Sequence, residues 1–265
     1  MKKAECKYEI ANPERSQIER SEKVKEAYAK VQAQPMCGDL WMEYGLALSE
    51  QFLFREAVEA YSKAIALDPF CGIYYRHRGH RFISCREYPQ AAADFTIASR
   101  LIPDNWDVWY HLGLSYYLMG EFAQAEQAYA RCYPLSAQVD QLCACTDWYW
   151  RTLMRLGKKE EADKLIERID PALDPEADWV GYSKTVLLYK GVLKPEELMA
   201  GLVDQTALAT PTIAYCLSNY YNMLGDREKS DEALKFLLDF CREEWWSAFG
   251  YLAGLNDKAA RERNG

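Results

Sequence analysis

The sequence has no glycine-rich phosphate loop, no Asp- or Asn-rich calcium loop and no Cys-x-x-Cys pair. Nucleotide cradles, EF-hand-type calcium sites and zinc ribbons are therefore not expected. No apolar run approaches the length of a membrane span. Cationic excess is missing too: 32 Lys and Arg face 40 Asp and Glu, for a formal net charge of −8, which argues against nonspecific nucleic-acid or anionic-membrane binding. No Ser/Gly-rich linker interrupts the chain, and no nucleophile–base–orienter arrangement is spelled out. Neither an enzymatic activity nor a cofactor is expected. Residues 1–7 carry positive charge without an apolar segment behind it, so a secretory signal is not expected and a cytoplasmic location is. Nine cysteines in such a chain read as reduced thiols, with Cys85, Cys132, Cys143 and Cys216 among apolar neighbours as small buried residues.

What is present is periodic. Gly45, Gly79 and Gly113 stand 34 residues apart, as do Ala57, Ala91 and Ala125. The same interval relates Trp41, Tyr75 and Trp109, then Tyr61, Phe95 and Tyr129, then Pro69 and Pro103. It is the length of one helix–turn–helix unit of a stacked solenoid. Trp41, Tyr44, Gly45 and Leu48 fall at i, i+3, i+4 and i+7, one stripe of a helix. Ala57, Tyr61 and Ala64 make the facing stripe of a second helix, which Asp68-Pro69 ends, because the residue before proline avoids helical angles. A glycine inside a helix costs about 1 kcal/mol relative to alanine, so its recurrence implies close approach of the second helix.

These positions resemble the tetratricopeptide repeat (TPR) family, whose pattern is an aromatic, Leu-Gly, an aromatic, Ala, an aromatic, Ala and Pro. Residues 38–137 match it over three consecutive units, departing at Tyr44 and Arg78, where the family usually has Leu, and at Ala137, where it has Pro. The resemblance implies an all-α, right-handed α-α superhelix of about six helix pairs with capping helices at both ends. It divides the chain into an N-terminal cap (1–37), three regular units (38–137), degenerate helix pairs (138–242) and a C-terminal cap with a polar tail (243–265), all in one continuous solenoid. Leu156-Gly157 repeats the turn at Met119-Gly120 but 37 residues later, as an insertion near Pro134–Gln138 would cause. Leu224-Gly225-Asp226 reads as another such turn, and Gly191 followed by Pro195 as a break and a restart. Asn12-Pro13 reads as the opening of the first helix, running through about Val31. The order of elements is also similar to that of a bacterial TPR adaptor lipoprotein, although Cys6 lacks the apolar segment that lipidation requires.

In this family the side of each first helix turned away from its partner lines a groove where peptides bind. Here that side would carry Glu43 in the first unit, Arg76, His77 and His80 in the second, and Tyr110, His111 and Tyr117 in the third. Trp148, Arg151 and Arg155 would follow in the fourth. Three readings stand. The residues form a solvated polar face, or a recognition groove in which arginines hold carboxylates and aromatic rings anchor a protein or peptide partner, or a metal- or small-molecule-responsive cluster of Glu43, His77, His80 and His111. The carboxylate clamp by which TPR co-chaperones hold chaperone tails is not expected, because its phases carry Met42, Leu46, His77, Asp107 and His111. The aromatic stretch Trp245, Trp246, Phe249, Tyr251 and Leu252 reads either as a last helix closing the core or as a homodimer contact.

Overall fold

The computed structural model describes residues 19–202 and 208–264, and within them every regular element is helical: fourteen α-helices and no strand. The chain divides into two compact units, Met1–Met119 and Gly120–Gly265. The first unit holds α1 (Glu22–Ala33), α2 (Gly38–Glu50), α3 (Phe54–Leu67), α4 (Gly72–Ser84), α5 (Tyr88–Leu101) and α6 (Trp106–Met119). Ser21 caps α1, its hydroxyl accepting from the Val24 N–H at 3.3 Å. The predicted helix start at Asn12-Pro13 lies outside the described residues.

The recurring glycine has a visible cause. A methyl group at Gly45 would overlap the Tyr61 ring, and one at Gly79 would stand 2.9 Å from Phe95. Each glycine is the seat on which the large ring of the next helix rests, and both rings are buried (Tyr61 at 1%, Phe95 at 0% exposure). Burying such a ring contributes roughly 2–3 kcal/mol, more than the helix loses by carrying glycine. The recurring tryptophan has a polar role as well. The Trp41 indole N–H donates to the Pro35 carbonyl at 2.9 Å, and Trp109 repeats this with Pro103 at 2.7 Å. Arg78, which departs from the family's leucine, is answered by Asp94 on α5 through two hydrogen bonds of 2.7 and 2.8 Å. Phe52, Arg86 and Gly120, again 34 residues apart, all have positive φ (60°, 61° and 79°). Hairpin turns in this register need a left-handed residue whether or not it is glycine.

The second unit is less regular. It runs through α7 (Phe122–Cys132), a 3-10 turn (Tyr133–Leu135), α8 (Val139–Arg155), α9 (Lys159–Ile166), α10 (Tyr182–Tyr189), α11 (Pro195–Leu202), α12 (Ala209–Met223), α13 (Arg227–Phe240) and α14 (Phe249–Asn264). The 3-10 turn falls beside the expected insertion. Gly157 and Gly225 adopt left-handed angles just after α8 and α12 (φ 74° and 78°). The start of α10 is fixed by the Asp178 carboxylate, which accepts from the backbone N–H groups of Val180, Gly181, Tyr182 and Ser183. α14 packs on α12 and α13. Trp246, Tyr251 and Leu252 are 2%, 5% and 0% exposed. These three side chains help to complete the core, whereas Trp245 and Phe249 of the same stretch are half-buried.

Candidate functional site

On α2 the predicted face is open. Glu43 is exposed and pairs with Lys30 of α1 at 3.3 Å, and Leu46 is 36% exposed. On α4 the three predicted residues are half-buried and diverge. His77 lies over the Tyr61 ring of the preceding hairpin, centroids 5.6 Å apart, whereas His80 turns the other way, 4.6 Å from the His111 ring. Arg76 donates from Nε to the Asp107 carboxylate and approaches His77 Nδ1 at 3.1 Å. Arg81 stands 2.7 Å from His80 Nδ1.

A guanidinium only donates, so Nδ1 accepts in both rings, and His77 and His80 are neutral with the proton on Nε2. Their titration agrees. Burial, with Arg76 beside it, pushes the His77 imidazole from 6.5 down to about 4. Burial, followed by the Arg81 charge, lowers His80 as well. Burial alone would raise the Asp107 carboxyl, but His111 and Arg76 outweigh it and hold the group well below the usual carboxylate range.

On α6 and α8 the expectation needs correcting. Tyr110, His111 and Tyr117 are each 4% exposed. The His111 ring is stacked on Phe95 at 5.5 Å and edge-on to Tyr110 at 5.0 Å, with Nδ1 donating to the Asp107 carbonyl at 2.8 Å. These three build the wall and offer little surface. Trp148 and Arg151 are 1% and 0% exposed. The Trp148 indole donates to the Tyr182 hydroxyl at 3.1 Å and stacks on Tyr215. Arg151 sits against both the Trp148 and Tyr215 rings (4.8 and 4.9 Å) and binds Asp147 at 2.7 Å and the Tyr189 hydroxyl at 2.9 Å. The returning helices α10 and α12 lie over this face of α8. Arg155 is half-buried, tied to Asp257 of α14 at 2.5 Å and to Asn219 of α12 at 2.8 Å.

The metal-ligand set Glu43, His77, His80 and His111 is likewise not brought together. Positions i and i+3 on α4 send His77 and His80 to opposite neighbours, and Glu43 answers Lys30. Among the described residues no three of His, Cys, Asp and Glu converge as a metal site. Nor are there ready nucleophiles among three of the buried thiols: burial pushes Cys143, Cys216 and Cys241 up to about 12. Sequence reading passed over Arg81, although its place one turn after His77 was a usable signal.

The comparisons with known proteins agree with this architecture. Residues 38–71 and 78–139 each match a family profile described as tetratricopeptide repeat. Anaphase-promoting complex subunit 3 of Schizosaccharomyces pombe is 25% identical over 187 residues, covering 68% of this chain and 27% of that one. The small glutamine-rich tetratricopeptide repeat-containing protein 2 of Saccharomyces cerevisiae is 28% identical over 140 residues, 53% of this chain and 39% of the other. The chain thus spans well under two thirds of these relatives. Among solved structures, YrrB, described as a TPR protein with an unusual peptide-binding site, aligns over 89% of this chain and 99% of its own, with a TM-score of 0.52 at 16% identity. MamA aligns over 64% of this chain and 90% of its own, with a TM-score of 0.51 at 19% identity. Both likenesses are of fold. No helix among the described residues is long and apolar enough to cross a membrane.

Proposed function

Because the chain belongs to the tetratricopeptide-repeat family, and is an all-α solenoid of the kind that serves as a protein-binding scaffold, we propose that it works as an adaptor, without catalysis, by holding a peptide or protein segment on the inner face of its first unit. The observation that carries this reading is the contrast on α2 and α4. Leu46 stays 36% exposed beside exposed Glu43 and half-buried Met42, and Arg76, His77 and His80 follow at the same level one repeat on. A leucine left to water on a helix next to hydrogen-bonding groups is what a segment with mixed side chains can use. Tyr110, His111 and Tyr117 stiffen this face from behind, and a rigid wall lowers the ordering cost of binding on one side. Trp148 and Arg151 act as internal struts of the second unit, and Arg155 fastens α14. YrrB, described as having a peptide-binding site, and the anaphase-promoting complex subunit, a component of an assembly by name, accord with this reading.

The test is affinity capture with the chain and with a variant carrying Glu43→Ala, Leu46→Glu, His77→Ala and His80→Ala together. A second variant, Lys235→Ala with Asp239→Ala on α13, controls for unspecific change. The first variant loses captured partners that the second retains. If both variants capture the same set as the unaltered chain, the assignment of the face is wrong.

A further inference from the structure

Near this face, Arg81 is the cation whose charge no described residue answers. It lies one turn beyond His77 on α4, its guanidinium 4.7 Å from the centroid of the Phe54 ring of α3 and 2.7 Å from His80 Nδ1. Neither neighbour is anionic. No carboxylate among the described residues forms an ion pair with it, unlike the neighbouring cations: Arg76 holds Asp107, Arg78 holds Asp94 and Arg55 holds Glu87. Its place in the last turn of α4 suits a cation, but a helix terminus supplies only about half a charge. The side chain is half-buried, and burial pulls its titration from 12.5 down to about 10. Isolated desolvated cations are costly, and proteins answer them with a carboxylate or a ligand.

The surroundings sharpen this. Arg76, His77, His80 and Arg81 supply donors, and the single carboxylate among them, Asp107, is already taken by Arg76 and His111. His77 and Arg81, at i and i+4, share one side of α4 and look onto the same aromatic pair of α3, Tyr61 and Phe54. A chain with a formal net charge of −8 has thus kept a local surplus of one positive charge at its proposed binding face. We propose that the segment bound there carries an Asp or Glu side chain whose carboxylate lodges against Arg81, with His77 Nε2–H as a second donor. This inference rests on the reading of the first unit as the binding face. Bidentate guanidinium–carboxylate pairing is strongest where water is partly excluded, as here.

The experiment pans a phage-displayed random dodecapeptide library against the full chain and measures the enriched sequences as synthetic peptides by calorimetry. Peptides that bind the proposed face are those weakened by Leu46→Glu. The expected result is that these contain Asp or Glu, and that changing it to Asn or Gln weakens binding about tenfold or more. In Arg81→Gln the acid and amide forms bind alike, and Arg81→Lys restores part of the preference. The comparison of acid with amide peptide uses the unaltered protein, so a folding defect in the Arg81 variants does not blur it. Leu46-dependent peptides that bind equally well as amides overturn the carboxylate assignment while leaving the face intact. Failure to enrich any Leu46-dependent peptide overturns both.

Discussion

Glu43 and His77 in the first unit and Trp148 in the second occupy equivalent phases of successive first helices, yet their environments are opposite. The first unit leaves Glu43 in water and His77 half-covered, whereas the second closes over Trp148 completely. The regular unit repeats one hairpin, and its flank stays open on α2 and half-open on α4, although on α6 Tyr110, His111 and Tyr117 are already covered. In the second unit α10 and α12 return across α8 and bury that flank with Tyr182, Tyr189 and Tyr215. Departure from the repeat in the second unit thus turns this flank of α8 into core.

The largest expected effect lies in the closed unit. Asp147 and Arg151 are both fully buried, so Asp147→Ala leaves an unanswered guanidinium and costs about 3–5 kcal/mol in urea unfolding. A loss within about 1 kcal/mol would mean that water reaches the pair, and the contrast between the units would weaken. Gly45→Ala comes next. It drives a methyl into the Tyr61 ring and costs about 1–3 kcal/mol despite alanine's better helix propensity. Gly201 of α11 has nothing within 4 Å of the point where an added methyl would stand, so Gly201→Ala stabilises by about 0.5–1 kcal/mol. If both substitutions move the unfolding midpoint the same way, close approach is not what keeps glycine in the repeat.

Acid sharpens the comparison further. His77 titrates at about 4 in the folded chain against 6.5 when free, so on acidification the unfolded chain takes up the proton first. Its contribution is fully present above pH 6.5 and is lost as the pH falls towards 4. Because the ring is only partly covered, the loss is about 1–2 kcal/mol. The unaltered chain should therefore lose more stability than His77→Gln on acidification from about pH 7 to about pH 4.5, by thermal melts in matched buffers. Equal losses would remove His77 as the cause. The smallest effect belongs to Lys159→Ala, whose exposed pair with Asp163 is worth no more than about 0.5 kcal/mol.

Much of this was legible in the residues. The 34-residue interval predicted hairpins, and Gly45 with Tyr61 carried the packing reason. Gly157 and Gly225 marked turns that the structure contains. The left-handed turn at Phe52 and Arg86 was hidden, because neither residue type favours those angles. The candidate face was read well on α2 and α4 but not on α6, where Tyr110, His111 and Tyr117 are buried although the repeat is still regular. Burial of Trp148 and Arg151 depends on Tyr182, Tyr189 and Tyr215, 34 to 67 residues beyond Trp148, on helices that lie back over α8. Phase locates a residue on its own helix and says nothing about what a distant segment later lays over it. Arg78 shows the same limit in miniature, since a charged residue at an apolar position made sense only once Asp94 was seen opposite.

The open and closed flanks can be compared in one hydroxyl-radical footprinting experiment on the native chain, read residue by residue by mass spectrometry. Trp179, 78% exposed and in the same unit as Trp148, serves as the internal standard for an unprotected indole. Met42 and His77 should oxidise readily, as should Trp179, while Trp148 stays protected until the chain unfolds. Oxidation of Trp148 at the rate of Trp179, or protection of Met42 and His77 in the chain alone, would contradict the contrast between the open flank of α2 and α4 and the covered flank of α8.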